Sequence, residues 1–183
     1  MLRLVSPPAD PCVTLAEAKL HLRVDASDDD ALITSLVVAS TQEAEHTLGR
    51  ALMTQAWQLV LDSFFDPGIG PFAQAVSPLC LSKPPVSAVT SVTYAQASDG
   101  TDATVDAGDY RLVTGEYASY LYPAYGKSWP APRAIAGAVR VDFVTGVASA
   151  ANVPELVKAW IKLRVGTLYE CRQADKDPPK LNA

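Results

Sequence analysis

The chain has 183 residues, 49% of them apolar, enough to bury one ordinary core while leaving any second independent core small. Fifteen basic against twenty acidic residues give a net charge of -5. The surface as a whole therefore repels phosphate, which argues against a dedicated DNA-binding module. Pro7, Pro8 and Pro11 interrupt the N-terminus, and the most apolar window, residues 31 to 40, is far shorter than the about 20 residues that cross a bilayer. A soluble, unexported protein with no membrane partner is predicted. Cys12, Cys80 and Cys171 are odd in number, lie far apart and form no zinc or redox pair, so they read as reduced thiols.

The first element signal is Thr14 followed by Glu17, the capping-box spacing in which each side chain satisfies a backbone N–H of the first turn. A helix from residue 15 to about 23 follows, with Leu15, Ala18 and Leu22 on its apolar face and Glu17, Lys19 and His21 toward solvent. Residues 27 to 30 then place three carboxylates where the positive end of a helix dipole favours them. Leu32, Ile33, Leu36, Val37, Ala44 and Leu48 recur at spacings of three and four, and Gly49 suits a terminator. That predicts an amphipathic helix of about twenty residues.

The period changes at Thr54. Trp57, Leu59 and Leu61 alternate with Gln58, Val60 and Asp62, the repeat of a half-buried strand. Residues 64 to 78, rich in proline and glycine, read as a long irregular loop that a partner could order. Short β-branched or aromatic runs at 79 to 81, 88 to 95, 110 to 113, 118 to 121 and 138 to 144, separated by turn formers such as Asp99-Gly100, predict five or six antiparallel strands. Lys83-Pro84-Pro85 marks an edge or a connection, because proline has no N–H for a ladder.

Asn152 and Glu155 repeat the cap spacing, with Pro154 in the first turn. A third helix runs from there to about residue 172, with Val157, Trp160, Ile161, Val165 and Leu168 as its apolar stripe and Lys158, Lys162 and Glu170 outward. Gly166 costs this helix about 1 kcal/mol relative to Ala, which points to a close approach of another backbone. The last residues, 173 to 183, are polar and aperiodic and read as a flexible tail. The predicted class is α+β: N- and C-terminal helices forming a small helical bundle with a β-rich insertion between them. Residues 1 to 172 make a single domain, with a helical lobe at 14–50 and 152–172 and a β-rich lobe at 51–148.

A search for chemistry finds none to name. Gly126-Lys127-Ser128 echoes the end of a phosphate-binding loop, but Leu121 stands where that motif needs glycine and no helix pattern follows. Asp25, Ser27, Asp29 and Asp30 lack the glycine of a calcium loop, since Asp30 occupies its place, and they lead straight into a helix. His21 and His46 sit on separate predicted helices without companion ligands, so no metal and no cofactor is predicted. Tyr110, Tyr117, Tyr120, Tyr122, Tyr125 and Trp129 could stack on bases, yet only Arg111, Lys127 and Arg133 lie near. That concentration reads better as core or as a protein interface. No catalytic residue is predicted; a nucleic-acid-binding module and a hydrolase with a site assembled in space stay as alternatives.

The order of the motifs carries a resemblance. The run from Val13 to Lys19, then Leu22-Arg23-Val24-Asp25 and Asp29 to Ile33, resembles the opening of the head-to-tail connector (adaptor) family of long-tailed bacteriophages and gene transfer agents. Leu48-Gly49-Arg50-Ala51-Leu52 with Thr54-Gln55-Ala56-Trp57, Pro84-Pro85-Val86 before residues 89 to 94, and Tyr125 to Pro130 continue it. Gly137 to Val141, then Val153-Pro154-Glu155 leading to Tyr169-Glu170, complete it across about nine tenths of the chain, although Ser82-Lys83 replaces a Pro-Arg.

The resemblance implies a structural role without catalysis. Subunits would form a ring, twelvefold to match a portal, in the neck of a virion or phage-like particle assembled in the bacterial cytoplasm. That ring would extend the DNA channel, pass DNA without sequence recognition, and receive a stopper or tail-completion protein. Terminal segments of similar adaptors order against the portal protein, which makes Lys176, Lys180 and Leu181 the expected portal-binding anchors.

Overall fold

The computed structural model describes residues 1–65 and 78–171. The predicted tail at 173–183, and all but the ends of the predicted loop at 64–78, lie outside the described residues. The described chain is α+β, with three α-helices and two antiparallel sheets. It divides into two compact units: residues 1–10 with 49–149, and residues 11–48 with the described residues from 150 onward.

The second unit holds α1 (Leu15–Leu22), α2 (Asp30–Leu48) and α3 (Glu155–Glu170), which pack on one another. The capping box forms as its spacing predicts: Glu17 N–H donates to Thr14 Oγ1 at 3.2 Å, and Thr14 N–H donates to Glu17 Oε2 at 2.7 Å. α1 ends at Arg23 in the left-handed region, φ 57°, where the N–H of the next residue, Val24, reaches Lys19 O at 3.1 Å. Ile33, Val37, Ser40 and Ala44 of α2 meet Ile161 and Val165 of α3 in the buried set. Each fully buried aliphatic contributes about 2 kcal/mol. Two ion pairs cross between helices, Lys19 to Asp30 at 2.7 Å and Arg164 to Glu43 at 2.8 Å.

Several details of the helical reading are corrected. Asn152 does not cap α3; it closes a 3-10 turn, and Pro154 takes the cap position with no side-chain hydrogen bond. Trp160 and Leu48, assigned to apolar stripes, are 40% and 48% exposed. Lys158, assigned outward, is buried along its stem and brings Nζ to Glu155 Oε1 at 2.5 Å. Among the described residues a Cβ at Gly166 would meet only side-chain atoms, His21 Nε2 at 3.7 Å and Leu22 Cδ2 at 3.9 Å, and no backbone of another element.

The first unit is built from eight strands among the described residues. Five of them, β1 (Leu2–Ser6), β2 (Gln55–Leu61), β4 (Val86–Ala95), β5 (Asp102–Thr104) and β8 (Val139–Thr145), form a sheet in the order β1-β2-β8-β4-β5. The others, β3 (Leu79–Leu81), β6 (Tyr110–Thr114) and β7 (Ser119–Pro123), form a sheet in the order β3-β7-β6. This exceeds the five or six strands predicted, and it places β1 ahead of the helices, so the β-structure is not wholly an insertion between them.

β8 sits at the centre of the larger sheet and shows why. Val139, Val141, Phe143 and Thr145 alternate into the core, while Arg140 and Asp142 take the other face. There Asp142 accepts from Gln58 Nε2 at 2.9 Å and from Ser91 Oγ at 2.8 Å, tying three adjacent strands with one carboxylate. Lys83-Pro84-Pro85 lies in the connection from β3 to β4. Gly146 ends β8 at φ +89°, where a Cβ would lie 2.0 Å from Met53 O, so only glycine fits that close approach.

Candidate assembly surfaces

The residues singled out for chemistry are engaged in structure. Lys127 lies just past the β7 turn, where its N–H donates to Ala124 O at 2.9 Å, and its ammonium pairs with Asp109 at 2.9 Å. The side-chain hydrogen bond to Asp109 and the Asp109 charge raise the Lys127 pKa, and the residues that follow run into β8 with no helix N-terminus to cradle a phosphate. Asp30 is held by Lys19 at 2.7 Å, and Asp29 accepts from the Tyr169 hydroxyl at 2.5 Å. His21 and His46 are exposed. Among the described residues no three of His, Cys, Asp and Glu converge as metal ligands.

The thiols divide by environment. Cys12 is buried and lies 3.5 Å from Thr41 Oγ1; burial pushes its pKa up, which keeps it a protonated thiol at neutral pH. Cys80 is half-buried in β3 and Cys171 is exposed at the end of α3.

The aromatic concentration splits in two. Trp129 stacks on Phe64 with centroids 4.8 Å apart and planes 6° from parallel, and Phe64 meets Tyr94 edge-on at 6.0 Å. Tyr117 and Tyr125 stand out in solvent, 84% and 106% exposed. An open cleft of about 930 Å³ runs beside this cluster, lined by Phe64, Phe65, Arg111, Tyr122 and Trp129. Two cations, Arg111 and Lys127, reach it, and Lys127 is already paired, so a continuous basic groove with stacking platforms is not assembled there.

The helical unit exposes Leu20 of α1 at 81% and an apolar surface on α3: Leu156 at 82% and Leu163 at 63%, with Trp160 between them. Sequence periodicity missed this surface. Apolar residues surround most of α3, so spacing alone does not say which side turns inward. The three anchors expected at Lys176, Lys180 and Leu181 lie outside the described residues, and no helix among the described residues is long and apolar enough to cross a membrane.

Comparison with known proteins adds a family match over part of the chain and a fold. Residues 12–76 match the family described as Phage gp6-like head-tail connector protein, a span that takes in α1, α2 and β2. No curated protein matches the chain in sequence. Among solved structures, a chain in the virion of a native gene transfer agent (GTA) particle is similar, with 24% identity and a TM-score of 0.78 over 98% of this chain and 89% of that one. A chain in the neck of an empty GTA particle computed with C6 symmetry gives 24% identity and 0.77, again over 98% and 89%. One in the neck of a native GTA particle computed with C12 symmetry gives 23% and 0.71 over 98% and 88%. At these identities the likeness establishes a common fold.

Proposed function

We propose that this chain works as a head-tail connector of the Phage gp6-like kind, the family that its residues 12–76 match. It is a structural protein, and its work is done by surfaces. Copies form a closed ring, twelvefold to match a portal, in the neck of a phage or gene transfer agent particle. The ring seats on the portal protein, extends the DNA channel, and receives the stopper or tail-completion protein on its other side.

The observation that carries this reading is the coincidence of two independent likenesses. The family match covers the helix-to-strand passage, and the fold of chains from particle necks extends over 98% of the chain. The charge supports it. A net charge of -5 removes the counterion release that makes phosphate binding tight, so DNA can pass a lumen of this protein without sticking.

Residues 173–183 supply the portal contact in this reading, with Lys176 and Lys180 as charged anchors and Leu181 as an apolar one; a polar segment of this kind gains its order on binding. The finer architecture follows from the same premise: residues 1–172 act as one domain whose helical lobe (14–50 and 152–172) and β-rich lobe (51–148) present different faces to the portal and the tail. The test is to mix the protein with purified portal and separate complexes by density. Co-migration, with added ring density in negative-stain images, is the expected result; a portal that stays bare at saturating protein contradicts it.

A further inference from the structure

The two long helices of the helical unit each carry an outward face without a charge. On α3, Leu156, Trp160 and Leu163 are 82%, 40% and 63% exposed, and their spacing puts them within about 60° of arc on an α-helix. The helix's nearby cations are drawn away from that arc: Lys158 turns to Glu155 and Arg164 to Glu43. On α2 the segment from Ala31 to Gln42 contains no charged residue at all. Its exposed members Ala31, Thr34, Ser35, Val38, Ala39 and Gln42 fall within a wider arc of about 140°, opposite the buried Ile33, Val37 and Ser40.

A solvated helix face normally carries Lys, Glu or Arg. Two uncharged faces in one unit therefore call for a cover. They are unlike each other, and the difference is complementary. The α3 face projects large side chains, whereas the α2 face is lower, built from Ala, Ser, Thr and one Val with Gln42 at its end. The α2 face extends over about three turns, roughly 16 Å at 1.5 Å per residue, and the α3 face over about two, roughly 10 Å. Side chains of one helix can thus seat between the short side chains of the other at close interaxial distance.

We propose that the outer face of α3 in one copy docks on the outer face of α2 in the next copy, and that this contact closes the ring. The inference rests on the ring reading above. Cyclic assembly needs a heterologous contact, in which every copy offers two different surfaces and none is left over when the circle closes. The two helices supply one surface of each kind. A portal-facing role would need only one of them and would leave the other bare.

Cysteine cross-linking in assembled rings tests this. In a Cys171→Ser background, Leu163→Cys is combined with Ser35→Cys or with Val38→Cys, giving two registers. The proteins are assembled on portal, oxidised mildly and run without reductant. The predicted result is a ladder of dimers, trimers and higher species for at least one pair, with none for the single-cysteine variants. A ring visible by electron microscopy that yields no ladder in either register overturns this inference and leaves the ring reading standing. Dimers from Leu163→Cys alone, or a cross-link from it to the portal, also overturn the inference. Absence of any ring overturns both. Leu163→Glu supplies a readout that does not depend on register. The protein should keep its helical circular dichroism while ring occupancy on the portal falls at least tenfold, and unchanged occupancy contradicts the proposal.

Discussion

The hydroxyl of Tyr169, near the C-terminal end of α3, donates a 2.5 Å hydrogen bond to Oδ2 of Asp29, just before α2 begins, across 140 residues of sequence. The bond fastens the last turn of one helix to the first of another, at the point where the described chain ends. Asp29 has further interactions, so removing the hydroxyl leaves its carboxylate partly satisfied. Tyr169→Phe should therefore lower stability by about 1 kcal/mol, the usual net worth of such a bond. Urea denaturation followed by circular dichroism checks it, and an unchanged midpoint would show that the bond contributes nothing.

The turn after β8 is the least tolerant point of the β-unit. Gly146 combines a φ of +89° with a position where any Cβ would lie 2.0 Å from the carbonyl oxygen of Met53. Backbone cannot yield as a side-chain tip can. Gly146→Ala should cost about 3 kcal/mol or more, or prevent folding, judged by soluble yield and thermal melting.

A different outcome holds in the helical unit, where Ser40 is fully buried in α2 and its hydroxyl has no hydrogen-bond partner among the described residues. Burying that group costs free energy without return. Ser40→Ala should leave stability unchanged or raise it by up to about 1 kcal/mol; a marked loss in the thermal melt would mean that the hydroxyl is satisfied in solution.

The cap of α1 gives an acid-dependent signature. Hydrogen bonds from the Thr14 backbone N–H and hydroxyl, at 2.7 and 2.8 Å, hold the Glu17 carboxyl below its ordinary pKa. A folded-state value below the unfolded one contributes stability above the unfolded pKa, about 4.3, and that stability is lost as pH falls through the folded value. Glu17 is exposed, so screening keeps the effect small. Thr14→Ala should cost about 1 kcal/mol at neutral pH. Its deficit should narrow as pH drops below about 4, measured by urea titration at several pH values.

How far these features could be read from the chain depends on whether local chemistry or distant pairing decides them. The α1 cap was legible because Thr14 and Glu17 satisfy each other within one turn. The centre of the larger sheet was legible too, since Val139, Val141 and Phe143 alternate strictly. β1 was not. It pairs with β2, distant in sequence, and the prolines that follow it mask a short strand. β5 has three residues, too few to display a period. On α3, apolar residues nearly encircle the helix, so periodicity places Trp160 inward, and charge places Lys158 outward although its four-carbon stem is buried. The candidate surface on α3 therefore emerged only once burial separated its two apolar sides.

The central claim is that copies of this chain form a closed ring between portal and tail. Cryo-electron microscopy of the necks of purified particles containing the polypeptide measures it most directly, by fitting the two units into density at the vertex where the tail joins. The account predicts twelve copies in one circle around the DNA channel, with the C-terminal segment of each reaching the portal. Density in that layer that accommodates neither unit, or particles whose copies of the chain lie elsewhere, would contradict it.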